Sequence, residues 1–330
     1  MRIMIIDDSR TIRRVLRMII DKKIPLIDEI VESDSGEVAL RKLEDLPVDL
    51  IILDVLMGGM NGYETCKKIK SNSKIKNTPV IFLTSQVASE DIVNGFDAGG
   101  VDYISKPIRE AEFVARVSTQ LKVITLQNKK IEKTQTEVLL KMGEIGELRS
   151  KETGNHVRRV AEYCRLLGEI TGLEKHECDV LMNASPMHDI GKVAIQDSIL
   201  KKPAKLTDEE RLIMQEHTNL GYNMFKDSEE EILQAAAIVA HQHHEKFDGT
   251  GYPQQLQANQ IHIYGRIIAI VDVFDALASD RVYKKAWELD KIIALFKEER
   301  GKHFDPYLLD DFLNNIGQFL AIKEKYIDEF

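Results

Sequence analysis

His243-His244-Glu245-Lys246-Phe247-Asp248-Gly249-Thr250-Gly251-Tyr252-Pro253 is the stretch on which the reading of this chain turns. Adjacent histidines that run into a tight Gly/Pro turn are unusual in a plain core. His188-Asp189-Ile190-Gly191-Lys192, upstream, again sets imidazole beside carboxylate. One His next to one Asp is common by chance, but further His and Asp positions surround these two. Imidazole and carboxylate together suit iron, manganese or zinc, so a metal site is the first expectation.

Working outward, Glu152 and His156 are spaced i, i+4 and share one face of a helix. His217 and Asp272 lie in apolar helical patterns on either side of the paired histidines. The candidate ligands are Glu152, His156, His188, Asp189, His217, His243, His244 and Asp272, too many for one ion and enough for two or three. His176, His241, His262 and His303 are assigned to ordinary core or capping roles, and Asp275 to a supporting one. Asp189 is the best candidate to bridge two cations, an arrangement that clamps the attacking and leaving oxygens of a phosphoryl displacement. Lys192, one helical turn from Asp189, and Arg281 and Lys284 are the nearby cations for substrate phosphates. Asp189 and Lys192 are the catalytic candidates. Residues 152–330 carry helical periodicity almost throughout, which predicts an all-α domain, and Thr207 with Glu210 forms a capping box.

Residues 1–120 read differently. Ile3–Ile6, Leu50–Leu53, Val80–Leu83 and a short run near Asp102–Ser105 alternate with helix-length segments, which predicts a parallel α/β sheet covered on both faces. Sites in such sheets form at the carboxyl ends of strands. Those ends carry Asp7-Asp8, Asp54, Thr84 and Lys106-Pro107. Three carboxylates at one edge call for a hard cation, Mg²⁺, and a neighbouring lysine for phosphate oxygens. Asp54 is then a nucleophile toward a phosphoryl group.

Between the two, residues 121–151 read as a helical linker. Leu121, Ile124, Asn128, Ile131, Gln135, Val138, Met142 and Ile145 follow the 3-4 spacing of a coiled-coil seam, which points to a homodimer; packing on the helix's own domain is the alternative. Gly143 and Gly146 weaken the helix near its end, each by about 1 kcal/mol relative to Ala, and could mark a hinge.

The chain has 330 residues and a net charge of −9, which argues against general nucleic-acid binding. Cys66, Cys164 and Cys178 form no CxxC pair, as in a reducing compartment. No apolar run approaches the ~18 residues of a membrane span, and no signal peptide is evident, so a cytoplasmic location is expected.

The first 120 residues resemble the receiver domain of two-component response regulators. The match rests on Asp7-Asp8, the phosphoacceptor Asp54, Thr84, Tyr103 and Lys106-Pro107, and implies a flavodoxin-like five-stranded sheet and a cognate histidine kinase. Position 58, Gly here, is usually Pro in receivers. Residues from about 150 to 315 resemble the HD-GYP domain of cyclic di-GMP phosphodiesterases, within the HD superfamily. That match rests on Glu152-Thr153-Gly154, His188 through Lys192, His243 through Pro253, Phe274 through Leu277, and Arg281 through Lys284.

The resemblance implies iron or manganese on His156, His188, Asp189, His217, His243, His244 and Asp272, with Glu152 adding a third metal. Lys192, Tyr252, Arg281 and Lys284 would contact the nucleotide. The implied reaction cuts cyclic di-GMP to pGpG and on to GMP. Val282 and Gln196 stand where the family has Pro, Ala204 where it has Gly, and residues 254–262 lack its glycines and proline. These departures touch the substrate-side loop and not the ligands. The rival expectations are a cyclic dinucleotide sensor or partner-binding module with little turnover, and a phosphodiesterase for a mixed cyclic purine dinucleotide.

Overall fold

The structure is a computed structural model and describes residues 1–85, 89–149, 154–279 and 285–327. The chain divides into two compact units, Met1–Glu132 and Lys133–Phe330.

In the first unit, β1 (Arg2–Ile6), α1 (Arg10–Lys23), β2 (Glu29–Ser33), α2 (Gly36–Asp45), β3 (Leu50–Asp54), α3 (Gly62–Ser71), β4 (Val80–Thr84), α4 (Ser89–Asp97) and β5 (Asp102–Ser105) follow in strict alternation. The sheet is wholly parallel, in the order β2-β1-β3-β4-β5. Alternate side chains of a strand point to opposite faces, so each apolar run serves two cores. Met4, Ile6, Ile51, Leu53 and Phe82 pack with Ala39, Leu43, Cys66 and Ile69 of α2 and α3. Ile3, Ile5, Leu50, Ile52, Ile81 and Leu83 pack on the other face with Leu16 and Ile20 of α1. Burial on both faces explains why these strands read as continuous apolar runs. β2 is the strand those runs did not mark: it lies at the sheet edge and is Glu-Ile-Val-Glu-Ser, with only its last residue fully buried.

The next helix, α5 (Glu110–Leu148), starts eleven residues before the expected linker. Phe113, Val117 and Leu121 belong to the receiver-side core, so Leu121 is a core residue and not the head of an exposed seam. Beyond it Asn128, Ile131, Gln135, Val138, Met142 and Ile145 are exposed.

The second unit continues with α6 (Gly154–Ile170), α7 (Lys175–Ala184), two 3-10 turns (Ser185–Met187 and Ile190–Ala194), α8 (Asp197–Leu200), α9 (Asp208–Gln215), α10 (His217–Phe225) and α11 (Glu231–Gln242). α12 (Ile263–Ala278), α13 (Leu289–Glu298), α14 (Pro306–Asn314) and α15 (Ile316–Lys325) complete it. Its described residues form no strand beyond isolated bridges. Thr207 and Glu210 cap α9 reciprocally, at 3.2 and 2.8 Å. The core gathers Tyr163, Leu167, Ile267, Ile270, Phe274, Phe296, Phe312 and Phe319 from five helices. Asp189 lies at the join of the two 3-10 turns and His243 caps the end of α11, so the ligand-bearing segments are helix ends and turns held by this core.

Candidate metal centre and phosphoacceptor site

Pro186 holds the chain in a 3-10 turn as it leaves α7, and His188 and Asp189 follow directly. Gly191 lets the second turn press on α10: a Cβ there would collide with the His217 carbonyl oxygen. His217, the first residue of α10, therefore sits against the His188–Asp189 segment. His243 and His244 leave the C-terminal end of α11, and Asp272 and Asp275 come from α12.

Four rings are aimed by what holds their other nitrogen. The Nδ1 atoms of His188, His217 and His243 donate to the carbonyls of Ser185 (2.9 Å), Met214 (2.7 Å) and Val239 (3.1 Å). His156 Nδ1 lies 2.8 Å from Asp275, which also receives Arg159 through both oxygens at 2.7 and 2.9 Å. When neutral, a ring whose Nδ1 donates to a carbonyl presents Nε2 as a lone pair. Those Nε2 atoms converge on Asp189: Oδ1 is 3.2 Å from His217 and 3.7 Å from His243, and Oδ2 is 3.3 Å from His188. Asp272 Oδ1 is 3.6 Å from His156 Nε2 and 3.9 Å from His188 Nε2. His217 Nε2 and His243 Nε2 face each other at 3.2 Å.

The electrostatics ask for a cation. His188 Nε2 and Asp189 Oδ1 are buried without a hydrogen-bond partner. Burial alone would lower the His188 pKa, but the Asp189 and Asp272 carboxylates push it up to about 10. Burial keeps His243 and His244 below the usual imidazole range, neutral and able to ligate. Asp189 is held well below the carboxylate range: Lys192 and His188 outweigh its burial. Among the described residues of this unit, two groups have ligand atoms close enough for a shared ion, Asp189–His217–His243–His244 and Glu147–His156–His188. The donor set, its aimed rings and its unpartnered buried atoms fit divalent metal.

In the first unit, Asp7, Asp8 and Asp54 cluster at the strand ends. Lys106 Nζ reaches both Asp7 and Asp54 at 2.9 Å. Burial raises the Asp54 pKa against the pull of Lys106. Gly58 N–H donates to Asp8 at 3.2 Å, a bond that proline, the usual residue there, has no N–H to make. Thr84 and Tyr103 line one cavity with Phe82 and Phe96, and Arg116 lies 5.4 Å over the Tyr103 ring.

Residues 142–308 match the family model for the HD domain, and residues 3–118 that for the response regulator receiver domain. The chain belongs to the HD-domain response regulators. Its HD domain is of a metal-dependent hydrolase class. A probable cyclic di-GMP phosphodiesterase of Vibrio cholerae is 37% identical over 91% of this chain and 75% of that protein. The cyclic di-GMP phosphodiesterase response regulator RpfG of Xanthomonas campestris is 34% identical over 97% and 89%. A 3'3'-cGAMP-specific phosphodiesterase of Vibrio cholerae is 44% identical over 60% of this chain and 38% of that protein.

In the HD domain the structure brings together His156, His188, Asp189, His217, His243, His244 and Asp272. Lys192 Nζ is on Asp189 and 3.6 Å from Glu147. The Tyr252 ring lies 4.7 Å from His244. Glu152, Arg281 and Lys284 lie outside the described residues. The four histidines assigned ordinary roles keep them: His176 pairs with Glu231, His241 with Asn219, His262 caps α12 and His303 stacks on Phe304.

Two residues were not singled out from sequence. Glu245 is buried and accepts from the amides of Gln254 (2.7 Å) and Leu256 (3.0 Å), clamping the loop that follows Tyr252. Its place beside His244 was the available signal. Glu147 lies in the His156–His188 group, though its sequence neighbourhood reads as a solvated helix.

Proposed function

We propose that the HD domain hydrolyses cyclic di-GMP to pGpG and/or GMP with iron or manganese, under control of phosphorylation at Asp54. The observation that carries this reading is Asp189, whose two oxygens face two separate histidine sets. Such a carboxylate would be placed to hold two ions. The imidazole-rich donors favour iron or manganese over magnesium, which suits the carboxylate cluster of the receiver instead.

The ligands would be His156, His188, Asp189, His217, His243, His244 and Asp272, with Glu152 as a further one. When bound, divalent ions supply Lewis acidity toward water and a phosphoryl oxygen. Lys192 holds Asp189 and brings one positive charge to the pocket that a phosphate would enter. Tyr252 offers an aromatic edge beside His244, and Arg281 and Lys284 would meet the substrate phosphates.

Asp54 would receive the phosphoryl group from a histidine kinase, with Lys106 and Thr84 holding its oxygens and Tyr103 following Thr84 inward. We assign residues 1–120 to the receiver, 121–151 to the linker and 152–330 to the HD-GYP domain. The exposed Ile131, Val138, Met142 and Ile145 of α5 support pairing with a second copy of the chain. Among the described residues no helix is long and apolar enough to cross a membrane.

A second reading, hydrolysis of a mixed cyclic purine dinucleotide, is favoured by the 44% identity to a 3'3'-cGAMP-specific relative. The test is chromatographic product analysis of metal-loaded protein with each dinucleotide. The first reading expects pGpG or GMP from cyclic di-GMP at the higher kcat/KM. A preference for 3'3'-cGAMP selects the second, and tight binding without product makes the domain a sensor.

A further inference from the structure

The end of α5 comes in closely because two positions on its contact face lack side chains. A Cβ on Gly143 would lie 2.5 Å from the Pro186 carbonyl oxygen and 3.0 Å from Val157. One on Gly146 would lie 3.4 Å from Ile190. The glycines expected to mark a hinge are therefore contact points, and they press α5 against the segment that carries His188 and Asp189.

That approach sets Arg149, the residue after Leu148 at the end of α5, beside the Ile190–Ala194 turn. The last carbonyls of a helical turn have no amide of their own turn to meet. Arg149 supplies donors there. Its Nη1 donates to the Val193 carbonyl and, at 3.4 Å, to that of Lys192. Its Nη2 donates to the Ile195 carbonyl at 3.0 Å and to Asp197 Oδ1 at 2.6 Å. Asp197 Oδ2 is held in turn by Lys201 at 3.0 Å. One planar fork thus spans residues 192 to 197, a reach that the single ammonium of a lysine does not match.

Lys192 lies inside this span. Its amide donates to the Asp189 carbonyl at 2.9 Å, its carbonyl accepts from the Ile195 amide at 3.1 Å, and its ammonium is on Asp189. The backbone of Lys192 is therefore held by Asp189 on one side and by Arg149 on the other. We infer that Arg149 is a positioning residue: it fixes the turn from which Lys192 reaches Asp189 and the substrate phosphate. The inference rests on the reading of Lys192 as the cation on the phosphate side.

The test uses the full chain loaded with Mn²⁺, as parent, Arg149→Ala, Lys192→Ala and the double variant. The readouts are kcat/KM on cyclic di-GMP, bound Mn²⁺ by elemental analysis, and amide hydrogen exchange over residues 190–197. Arg149→Ala should lower kcat/KM by about 10–100-fold, the cost of a misplaced group, and speed exchange at 190–197. Its Mn²⁺ count should match the parent's, because Arg149 grips backbone and Asp197 and not a ligand. On the Lys192→Ala background the same substitution should cost nothing further, since residues that act as a unit are not additive. A residue that only supports the fold would lower the double variant by its full factor again, and that result overturns the inference. So do parent-like kcat/KM and exchange in Arg149→Ala. If Arg149→Ala does not fold, Asp197→Ala removes the exposed anchor of the fork and should show the same loss, smaller and again absent without Lys192. Parent-like kcat/KM in Lys192→Ala would instead overturn the reading of Lys192. A parent that releases no product would overturn the phosphodiesterase reading and leave Arg149 to stand or fall on the exchange.

Discussion

His217 Nε2 and His243 Nε2 point at each other across 3.2 Å while both rings commit Nδ1 to backbone carbonyls. Two lone pairs cannot face each other in a dry core without a proton or a cation between them. Asp189 Oδ1 closes the triangle at 3.2 and 3.7 Å. Removing metal should therefore loosen the HD domain. Chelator-stripped protein is expected to melt at lower temperature, and added Mn²⁺ or Fe²⁺ to restore the midpoint with dose. The gain is about 1.4 kcal/mol for each tenfold excess over Kd. A scanning-fluorimetry midpoint indifferent to chelator and to metal would show that the paired rings hold no ion.

Metal binding should release protons. In the metal-free protein His188 is raised from 6.5 to about 10. A raised folded-state value stabilises the fold fully below the unfolded value and loses that contribution as pH rises through the folded one. The metal-free protein should accordingly lose stability between about pH 6.5 and 10. Metal affinity runs the other way: it should rise with pH over the same window, by about tenfold per unit for each proton displaced. Calorimetry in buffers of different ionisation enthalpy reads the count directly, with at least one proton per chain expected at pH 8. No release at pH 8 would mean that His188 stays out of the coordination.

Asp275 orients without facing the ions. It receives Arg159 at both oxygens and His156 Nδ1 at 2.8 Å. Asp275→Ala takes the carboxylate from a buried arginine, which costs about 3–5 kcal/mol. It also frees the His156 ring to turn, which should weaken metal binding about 10–100-fold. Urea unfolding of the metal-free protein and Mn²⁺ titration separate the two effects. Loss of stability with unchanged metal affinity would leave Asp275 a structural residue only.

β1, β3 and β4 were legible in sequence because burial on both faces makes their apolar runs continuous, while β5, Asp-Tyr-Ile-Ser, was placed by the alternation. β2 was not legible, since an edge strand with only Ile30 and Val31 between Glu29 and Glu32 resembles a surface turn. The His and Asp ligands stood out because they interrupt apolar helical patterns. Glu147 did not, since it sits 41 positions before His188 in a helix rich in charged residues. Its burial depends on Gly143 and Gly146, and their partner surface, Pro186 to Ile190, is remote in sequence. Glycine in a helix shows its cost locally and its use only in tertiary contact. The Arg159–Asp275 pair, 116 residues apart, was hidden for the same reason.

Control by the receiver can be tested through α5. Lys106 already holds Asp54 at 2.9 Å, and Thr84 and Tyr103 share a cavity at the adjoining strand ends. A phosphoryl group on Asp54 adds charge there that Lys106 can pair, biasing Thr84 and Tyr103 inward. α5 is covalently continuous from the receiver core residues Phe113, Val117 and Leu121 to Glu147. Phosphodiesterase rate should therefore change when the mimic beryllofluoride is added, and Asp54→Ala should abolish the change. One residue inserted in the exposed stretch near Asn128 turns everything after it by about 100°. That insertion should uncouple rate from the mimic while each domain remains folded by circular dichroism. If the mimic binds and the rate is the same in the parent, Asp54→Ala and the insertion, α5 is a tether and the receiver acts elsewhere.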